Sequence, residues 1–240
     1  KRSFKFNKKI FFKNPLDIAK DKRIDIIFEL IGFGDGISKK IVETALKNKK
    51  HVVTANKALI AKNGDYLSLL AEKNKVNLEF EASVGGGIPI LRTIKDGLST
   101  NKINKVVGIL NGTCNYILSK MESSKDSFSN VLKKAQALGY AEPRNPKFDL
   151  NGEDSLAKVR ILSALAFNNK ISKSNCLLNG IENIELEDIK MASKLNYRIK
   201  LLGITEIVDN KLFERVHPCL VEKDNYIGNI NGVMNAIILE

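Results

Sequence analysis

The sequence predicts an α/β fold in which an open parallel sheet is followed by a second region of α+β character. Residues 24–31 read IDIIFELI, a nearly continuous apolar run typical of a parallel strand that is buried on both faces. This run begins a series of strand, helix, strand, helix and strand up to residue 84, which indicates an open parallel sheet. After Pro89, helices and apolar strands follow without this strict alternation.

The elements of the first region follow from apolar periodicity and from helix capping residues. The sequence predicts a strand or irregular segment at 1–13, a short helix at 15–22, strands at 24–31, 51–55 and 76–84, and helices that begin after Ser38 and span 56–74. Ser38 is the predicted cap of its helix. Gly64 indicates a break within the longer helix.

The second region is predicted to mix helices with a hairpin. The expected helices lie at 90–97, 112–121, 128–138, from 153 onward and at 186–195, and the expected strands at 105–110, 201–208, 212–221 and 233–239. Gly139 follows the helix at 128–138, where a glycine commonly ends a helix. Asp209 and Asn210 are the predicted hairpin turn.

The composition indicates a protein with one or two domains that binds neither nucleic acid nor a membrane. The 240 residues carry a net charge of +12, yet their lysines are scattered and lack the interleaved aromatic residues of a single-strand binder. No apolar run reaches the ~20 residues of a membrane span, and no secretory signal is visible.

The few cysteines and histidines do not fit a C-x-x-C site or a His-rich zinc site. Cys114, Cys176 and Cys219 form no C-x-x-C pattern and are interpreted as reduced thiols of a cytoplasmic protein. His51 and His217 are the only histidines, which excludes a His-rich zinc site.

The glycine-rich segment 32–36, GFGDG, follows a strand and precedes a helix, as a dinucleotide fingerprint does. The third glycine of G-x-G-x-x-G would fall on Ile37, and Ala55 stands near the position of the ribose-binding acid. We therefore interpret the segment as part of a later strand. The sequence begins with Lys1 rather than Met, so we expect the first βαβ unit to precede it.

Small and polar residues follow all three predicted strands of the first region. Gly32 follows the first strand, Thr54 and Asn56 follow the second, and Gly85 follows the third. The carboxyl ends of parallel strands meet at one edge of a sheet, where ligands bind. These residues therefore predict a ligand cleft.

Residues 139–167, GYAEPRNPKFDLNGEDSLAKVRILSALAF, run from an acidic loop into an apolar helix. Asp154 and Lys158 are four residues apart, so both side chains emerge on one face of this helix. The two residues are either a proton-transfer pair or a surface ion pair, and the pattern alone leaves both interpretations open.

Five segments together resemble homoserine dehydrogenases, in order and in spacing, over nearly the whole chain. They are VVTANKALIA at 52–61, EASVGGGIPI at 81–90, GILNGTCNYIL at 108–118, GYAE at 139–142 and NGEDSLAK at 151–158. The resemblance implies a partial Rossmann-type domain at 1–88, an α+β substrate and dimerisation domain at 89–240, and a homodimer. The loop 142–149 is one residue longer than is usual in the family.

The resemblance also implies a reaction, the NAD- or NADP-dependent interconversion of L-aspartate 4-semialdehyde and L-homoserine in threonine and methionine biosynthesis. Lys158 matches the catalytic lysine, which can protonate the alkoxide if its pKa lies near neutrality. Lys57 matches a second lysine between nicotinamide and substrate. We expect the 240-residue piece to be inactive or nearly so without the expected flanking segments.

Several binding residues are implied by the same resemblance. Glu142 is expected to hold the substrate amino group, together with Asp154, Asp149, Tyr140 and Thr113. Two of these residues have an alternative role: Asp149 could instead cap a turn, and Thr113 could instead cap a helix. The expected cofactor-binding residues are Gly32, Thr54, Asn56, Lys57, Gly85 and Gly139. Glu81, with the backbone of Val84, Gly86 and Ile88, is expected to hold Na⁺ or K⁺.

Two other functions remain open at this point. One is another Rossmann-type dehydrogenase with a lysine acid, of the glucose–fructose oxidoreductase kind, although its usual E-K-P-like lysine after a strand is not seen. The other is a noncatalytic basic binding protein, which a salt-dependent shift on nucleic acid would favour.

Overall fold

The computed structural model describes residues 11–240, so that most of the segment predicted at 1–13 lies outside the described residues. The chain divides into two compact units, with the boundary between Ser83 and Val84. The predicted mixed α/β fold is confirmed, because the first unit contains a parallel sheet and the second a separate mixed sheet. Within residues 11–240, no helix combines the length and the apolar character needed to cross a bilayer.

The first unit is a three-stranded parallel sheet with its helices between the strands. Its elements are α1 Pro15–Lys20, β1 Ile26–Glu29, α2 Ile37–Lys47, β2 His51–Thr54, α3 Lys57–Asn74 and β3 Leu78–Glu79, followed by a 3₁₀ turn at Glu81–Ser83. The strand order is β1-β2-β3. Ile27 pairs with Val52, and Val52 pairs with Leu78.

The prediction that the first strand is buried on both faces is wrong. Ile27 and Glu29 are buried, whereas Ile26 and Phe28 are 52% and 68% exposed. The described helices cover one face, because α1 packs on α2 and α2 packs on α3, β1 and β2. An apolar run does not distinguish a strand covered on one face from a strand covered on both.

Three local predictions for this unit are also corrected. Ser38 is not a cap: Gly36 precedes α2, and the Ser38 hydroxyl donates to the Gly32 carbonyl oxygen. Helix α3 continues without a break through the buried Gly64. The third strand has two residues rather than nine, because the backbone turns at Glu81–Ser83 directly after it.

The second unit is built around a five-stranded sheet with the strand order β5-β7-β6-β4-β8. Its elements are α4 Ile90–Arg92, which continues as a π-helical turn Thr93–Gly97, then β4 Lys105–Ile109, α5 Gly112–Ser124, α6 Phe128–Ala137, α7 Lys147–Leu150, α8 Glu153–Ala166, β5 Leu177–Leu178, α9 Leu186–Lys194, β6 Tyr197–Val208, β7 Lys211–Glu222, a 3₁₀ turn Ile227–Asn229 and β8 Ala236–Leu239. The sequence did not predict the short elements α7 and β5.

Left-handed backbone conformations confirm a predicted hairpin turn and a predicted helix end. Asp209 and Asn210 have φ values of 50° and 59° and join β6 to β7. Gly139 has a φ of 78° just after α6, as expected of a glycine that ends a helix.

Helix α8 lies against one face of the second sheet because a glycine leaves space for it. A Cβ atom on Gly203 of β6 would come 2.5 Å from Val159 Cγ2 of α8 and 2.9 Å from Leu110 Cδ1. The opposite face of the sheet carries an apolar cluster that consists of Ile109, Leu202, Ile204, Val221 and Ile227. This packing brings the first turns of α8 to the end of β4.

Lys200 of β6 is fully buried in the second unit. Its Nζ atom donates to Asn115 Oδ1 at 3.1 Å, to the Ile230 carbonyl at 2.5 Å and to Asn231 Oδ1 at 3.0 Å. These three bonds use every N–H of the ammonium group. They fasten the segment before β8 to α5 and to the central strand of the sheet.

We expect the titration of Lys200 to make the protein more stable as the pH rises. Burial, and then the positive charge of Arg198, lower the pKa of Lys200 to about 8, while Glu122 acts in the opposite direction. In the unfolded chain a lysine keeps its proton to about pH 10.4. Between the two pKa values only the unfolded state binds this proton, so the free energy of unfolding increases with pH.

The measurement is urea unfolding of the wild type and of Lys200→Met at several pH values between about 7 and about 10. Above about pH 8 the wild type should gain up to about 1.4 kcal/mol per pH unit relative to the variant. Below that pH the difference should be constant. Unfolding free energies that remain parallel over the whole range would contradict this prediction.

Candidate active site

Asp154 and Lys158 form a shielded ion pair on the first turns of α8. Lys158 Nζ lies 2.7 Å from Asp154 Oδ2, and the two side chains are 14% and 4% exposed, respectively. This exposure rules out the interpretation of a solvated surface pair. An ion pair in such surroundings is screened less by solvent than a surface pair, so removal of one partner is costly.

The turn before α8 sets the direction in which this pair points. Asn151 Oδ1 accepts a hydrogen bond from Glu153 N at 3.0 Å, and Gly152 has a φ of 88°. A left-handed conformation of this kind favours glycine. Asn151 and Gly152 therefore form the turn before α8, and Asp154 is the second residue of the helix.

Lys158 makes a second hydrogen bond at the end of β4. Its Nζ atom donates to the Leu110 carbonyl at 2.6 Å, in addition to Asp154. An ammonium group has three N–H donors. Among residues 11–240 the third donor has no partner, and it is therefore available to a bound molecule.

Asn111 is a member of the cluster that sequence reasoning did not identify. Its Nδ2 atom donates to Asp149 Oδ1 and to Asp154 Oδ2, each at 2.9 Å, and its Oδ1 atom accepts from Cys114 N at 2.8 Å. Asn111 is thus the N-cap of α5. The available signal was an asparagine directly before the helix at the end of a strand.

The alternative that Thr113 caps this helix is wrong, because Asn111 is the cap. Thr113 lies inside α5, and its hydroxyl donates to the Tyr140 carbonyl at 2.5 Å. The Tyr140 ring lies 5.0 Å from the Tyr116 ring, measured between centroids. The structure thus brings Thr113 and Tyr140 together in a partly exposed part of the second unit.

Asp149 lies in α7 and joins the cluster through both its side chain and its backbone. Its carboxylate accepts from Asn111, and its carbonyl oxygen accepts the Cys114 Sγ–H at 3.3 Å. Burial, and then the negative charges of Asp149 and Asp154, raise the pKa of the Cys114 thiol well above its usual value. The thiol therefore stays neutral and acts as a donor.

Glu142 and Gly139 lie in an exposed loop and do not reach this cluster through hydrogen bonds. The Glu142 backbone carbonyl accepts from Gln136 Nε2 at 3.2 Å. The Glu142 carboxylate has neither a hydrogen-bond nor an ion-pair partner within residues 11–240. Gly139 has open space where a side chain would stand.

The predicted cofactor residues of the first unit mainly fasten the ends of its strands together. The Thr54 hydroxyl donates to Glu29 Oε2 at 2.7 Å, and Asn56 Nδ2 donates to the Phe33 carbonyl at 2.8 Å. Asn56 is also the N-cap of α3, of which the half-buried Lys57 is the first residue. The sequence analysis missed Glu29, which is buried at the end of β1.

The same edge of the first sheet has features that fit a dinucleotide. Gly32 has a φ of 88°, and no atom would lie within 4 Å of a side chain added there. Gly34 packs closely on the first turn of α3, because its added Cβ would come 2.9 Å from the Ala58 carbonyl oxygen. The backbone at Gly32 is therefore open to a ligand, and Thr54 and Asn56 place polar groups at the same sheet edge.

The glycine-rich loop at the start of the second unit is a tight turn. Gly85 and Gly87 have φ values of 58° and 89°, and Ile88 N donates to the Gly85 carbonyl at 2.8 Å. Val84 is buried, and a side chain at Gly86 would meet no atom within 4 Å. Residues 11–240 contain no group of three or more His, Cys, Asp or Glu residues that could hold a metal ion.

Comparisons with known proteins cover both units of the chain. Residues 5–81 match the family model "Homoserine dehydrogenase, NAD binding domain", and residues 89–240 match "Homoserine dehydrogenase". A homoserine dehydrogenase of Neisseria gonorrhoeae is 47% identical over 227 residues, which are 95% of this chain and 52% of that protein. The chain spans about half the length of the curated relatives it matches.

Solved structures show the same similarity. The crystal structure of a homoserine dehydrogenase from Thiobacillus denitrificans is 44% identical, with a TM-score of 0.92 over 95% of this chain and 52% of that one. A hyperthermophilic archaeal homoserine dehydrogenase in complex with NADPH is 24% identical, covers 94% of this chain and 64% of that one, and shares the fold with a TM-score of 0.79.

We predict that Gly180→Ala destabilises the second unit through the turn that precedes α8. A Cβ atom on Gly180 would overlap the Leu150 carbonyl oxygen and would come 2.5 Å from the Asn151 Cα atom. Because backbone atoms cannot move aside as a flexible side chain can, we expect a loss of about 2 kcal/mol or more in unfolding free energy.

The matched control for this substitution is Gly97→Ala. A Cβ atom at Gly97 would have only an ordinary contact, 4.0 Å from Thr93 Cγ2. Urea unfolding of the two variants and the wild type should show the loss for Gly180→Ala alone. Equal stability of the two variants would disprove the close packing at Gly180.

Proposed function

Because the chain belongs to the homoserine dehydrogenase family, we propose that it carries the catalytic residues for the NAD(P)-dependent interconversion of L-aspartate 4-semialdehyde and L-homoserine. This reaction is a step toward threonine and methionine. The observation that carries the proposal is the shielded Asp154–Lys158 pair, whose ammonium has one N–H without a partner within residues 11–240.

Lys158 acts in this proposal as the general acid of aldehyde reduction. Its available N–H donates to the substrate carbonyl oxygen and transfers a proton as the negative charge develops on that oxygen. In the direction of homoserine oxidation, the neutral amine of Lys158 takes the hydroxyl proton. Asp154 and the Leu110 carbonyl hold the Nζ atom in place during both steps, at 2.7 and 2.6 Å.

The substrate ammonium requires a carboxylate partner if it is to leave water. We assign this role to Glu142, whose carboxylate is exposed and is not engaged by another side chain within residues 11–240. Asp149, Thr113 and Tyr140 are assigned to the same pocket. The support is that Asp149 shares the Asn111 amide with Asp154, and that Thr113 contacts the Tyr140 backbone.

We assign nicotinamide binding to Gly32, Thr54, Asn56, Lys57, Gly85 and Gly139. The open backbone at Gly32 supports this assignment, and so does the match of residues 5–81 to an NAD binding domain. NAD or NADP, when bound, supplies the hydride acceptor for homoserine oxidation. Lys57 is proposed to lie between cofactor and substrate, where its positive charge would favour an anionic group.

We further propose that residues 1–88 belong to the cofactor domain and residues 89–240 to the substrate and dimerisation domain of a cytoplasmic homodimer. The two matched ranges, 5–81 and 89–240, support this division. The long antiparallel strands β6 and β7 are the elements that we assign to the contact between subunits.

The principal prediction concerns Lys158→Ala in the full reading frame that encodes this chain. The turnover number for L-homoserine oxidation, followed by nicotinamide absorbance at alkaline pH, should fall more than about tenfold because the proton acceptor is lost. The control is Lys190→Ala, because Lys190 is paired with Glu187 on an exposed surface. This control variant should be as active as the wild type.

Near-normal turnover by Lys158→Ala would refute the role of Lys158 and leave the reaction intact. Absence of homoserine-dependent reduction of either cofactor by the wild type would refute the proposed reaction itself. The two failures are distinct, because the second does not depend on a substitution.

The monovalent cation at Glu81, Val84, Gly86 and Ile88 remains a prediction, with a structural rather than a catalytic role. The tight turn at 84–88 supports it, because carbonyl oxygens in a glycine-rich bend suit a hard cation. Replacement of Na⁺ and K⁺ by choline at constant ionic strength should lower the melting temperature. Unchanged stability and rate would remove the cation from the proposal.

A further inference from the structure

The Asn111 side chain is unusual in that every one of its polar groups contacts the proposed catalytic cluster or the helix beside it. It is 5% exposed. Its amide nitrogen donates to both Asp149 and Asp154 at 2.9 Å, and its oxygen accepts from Cys114 N at 2.8 Å. A buried side chain that satisfies three partners is held in a single orientation.

The position of Asn111 between two acids has an electrostatic consequence. Two carboxylates that share a site repel each other, and one of them tends to take up a proton. A neutral amide that donates to both offsets part of this repulsion without adding charge. Asp154 Oδ2 receives both the Asn111 amide and the Lys158 ammonium, at 2.9 and 2.7 Å, which restricts the rotation of this carboxylate.

The backbone beside Asn111 supplies a further constraint on the same pair. The Leu110 carbonyl accepts from Lys158 Nζ at 2.6 Å. Two consecutive residues after β4 therefore hold both members of the pair, Leu110 through its backbone and Asn111 through its side chain. This arrangement fixes the direction of the remaining N–H of Lys158.

We propose that Asn111 is a positioning residue, which locks the Asp154 carboxylate against Lys158 and couples this pair to Asp149. The catalytic consequence rests on the function proposed above. Asn111 is not itself expected to touch the reacting atoms. Loss of its amide allows Asp154 to rotate, and Lys158 then presents its N–H to the substrate in a range of directions.

Two substitutions separate this role from the capping of α5. Asn111→Ser keeps a hydroxyl that caps a helix well but removes the amide that bridges the carboxylates. Asn111→Asp also keeps the cap, but it places a third carboxylate against Asp149 and Asp154. The control is Asn14→Ser, a like change at the cap of α1, where Asn14 accepts from Leu16 N at 3.0 Å.

The test is steady-state homoserine oxidation by the full reading frame. For Asn111→Ser we expect the turnover number to fall about tenfold while the KM for the nicotinamide cofactor is unchanged. In Asn111→Asp the turnover number should fall further and its pH profile should shift, because this substitution adds a charge beside the pair. Asn14→Ser should match the wild type.

A double-mutant cycle with Lys158→Ala distinguishes positioning from a general loss of structure. If Asn111 acts through Lys158, then Asn111→Ser should cause little further loss in the Lys158→Ala background. Losses that multiply, or a wild-type turnover number and pH profile in Asn111→Ser and Asn111→Asp, would overturn the proposal.

A second readout does not depend on the proposed reaction. The unfolding free energies of Asn111→Ser, Asp154→Asn and the double variant are measured in urea. The loss in the double variant should be smaller than the sum of the two single losses. Additive losses would overturn the positioning of Asp154 by Asn111. A wild type inactive on homoserine would instead overturn the proposed function, and this unfolding cycle would still decide the role of Asn111.

Discussion

The constraint on which the candidate site depends is the burial of charge at the end of β4. Removing a carboxylate and an ammonium from water costs several kcal/mol per ion, and their mutual attraction offsets this cost only if further hydrogen bonds are made. Here the Leu110 carbonyl and the Asn111 amide make those bonds. The pair therefore requires β4, α5 and α8 to meet at one point, and the packing of the second unit meets this requirement.

Glycines at positions of close approach make that meeting possible. Gly203 lets α8 lie on β6, and Gly180 lets the segment after β5 pass against the backbone at Leu150 and Asn151. The contact at Gly203 is made by Val159 in the middle of α8, and the contact at Gly180 is made by the turn that precedes this helix. The geometry of the ion pair is thus decided partly by residues that carry no polar side chain, which is why a substitution distant from the chemistry is expected to disturb it.

Local patterns were sufficient to predict most elements and the Asp154–Lys158 pair, because helical periodicity and an i, i+4 spacing are properties of adjacent residues. Asn111 was missed because its carboxylate partners lie 38 and 43 residues further along the chain. Ser38 was misread because its hydroxyl bonds to Gly32 instead of to its own helix. The two-face burial of β1 was wrong because a hydrophobic run does not show what packs on each face.

Lys200 is fully buried and Lys158 is largely shielded, and their hydrogen bonds, rather than the pKa alone, decide which of them is proposed as the general acid. Lys200 has a pKa lowered to about 8, near the range of a general acid, yet its three N–H groups are all bonded to amide and carbonyl oxygens. It can transfer a proton to a substrate only by giving up one of these bonds. Within residues 11–240, Lys158 donates to one carboxylate and one carbonyl oxygen, and its third N–H is available to a ligand. An available donor with a fixed direction is the reason that the proposed role of general acid is assigned to Lys158 and not to Lys200.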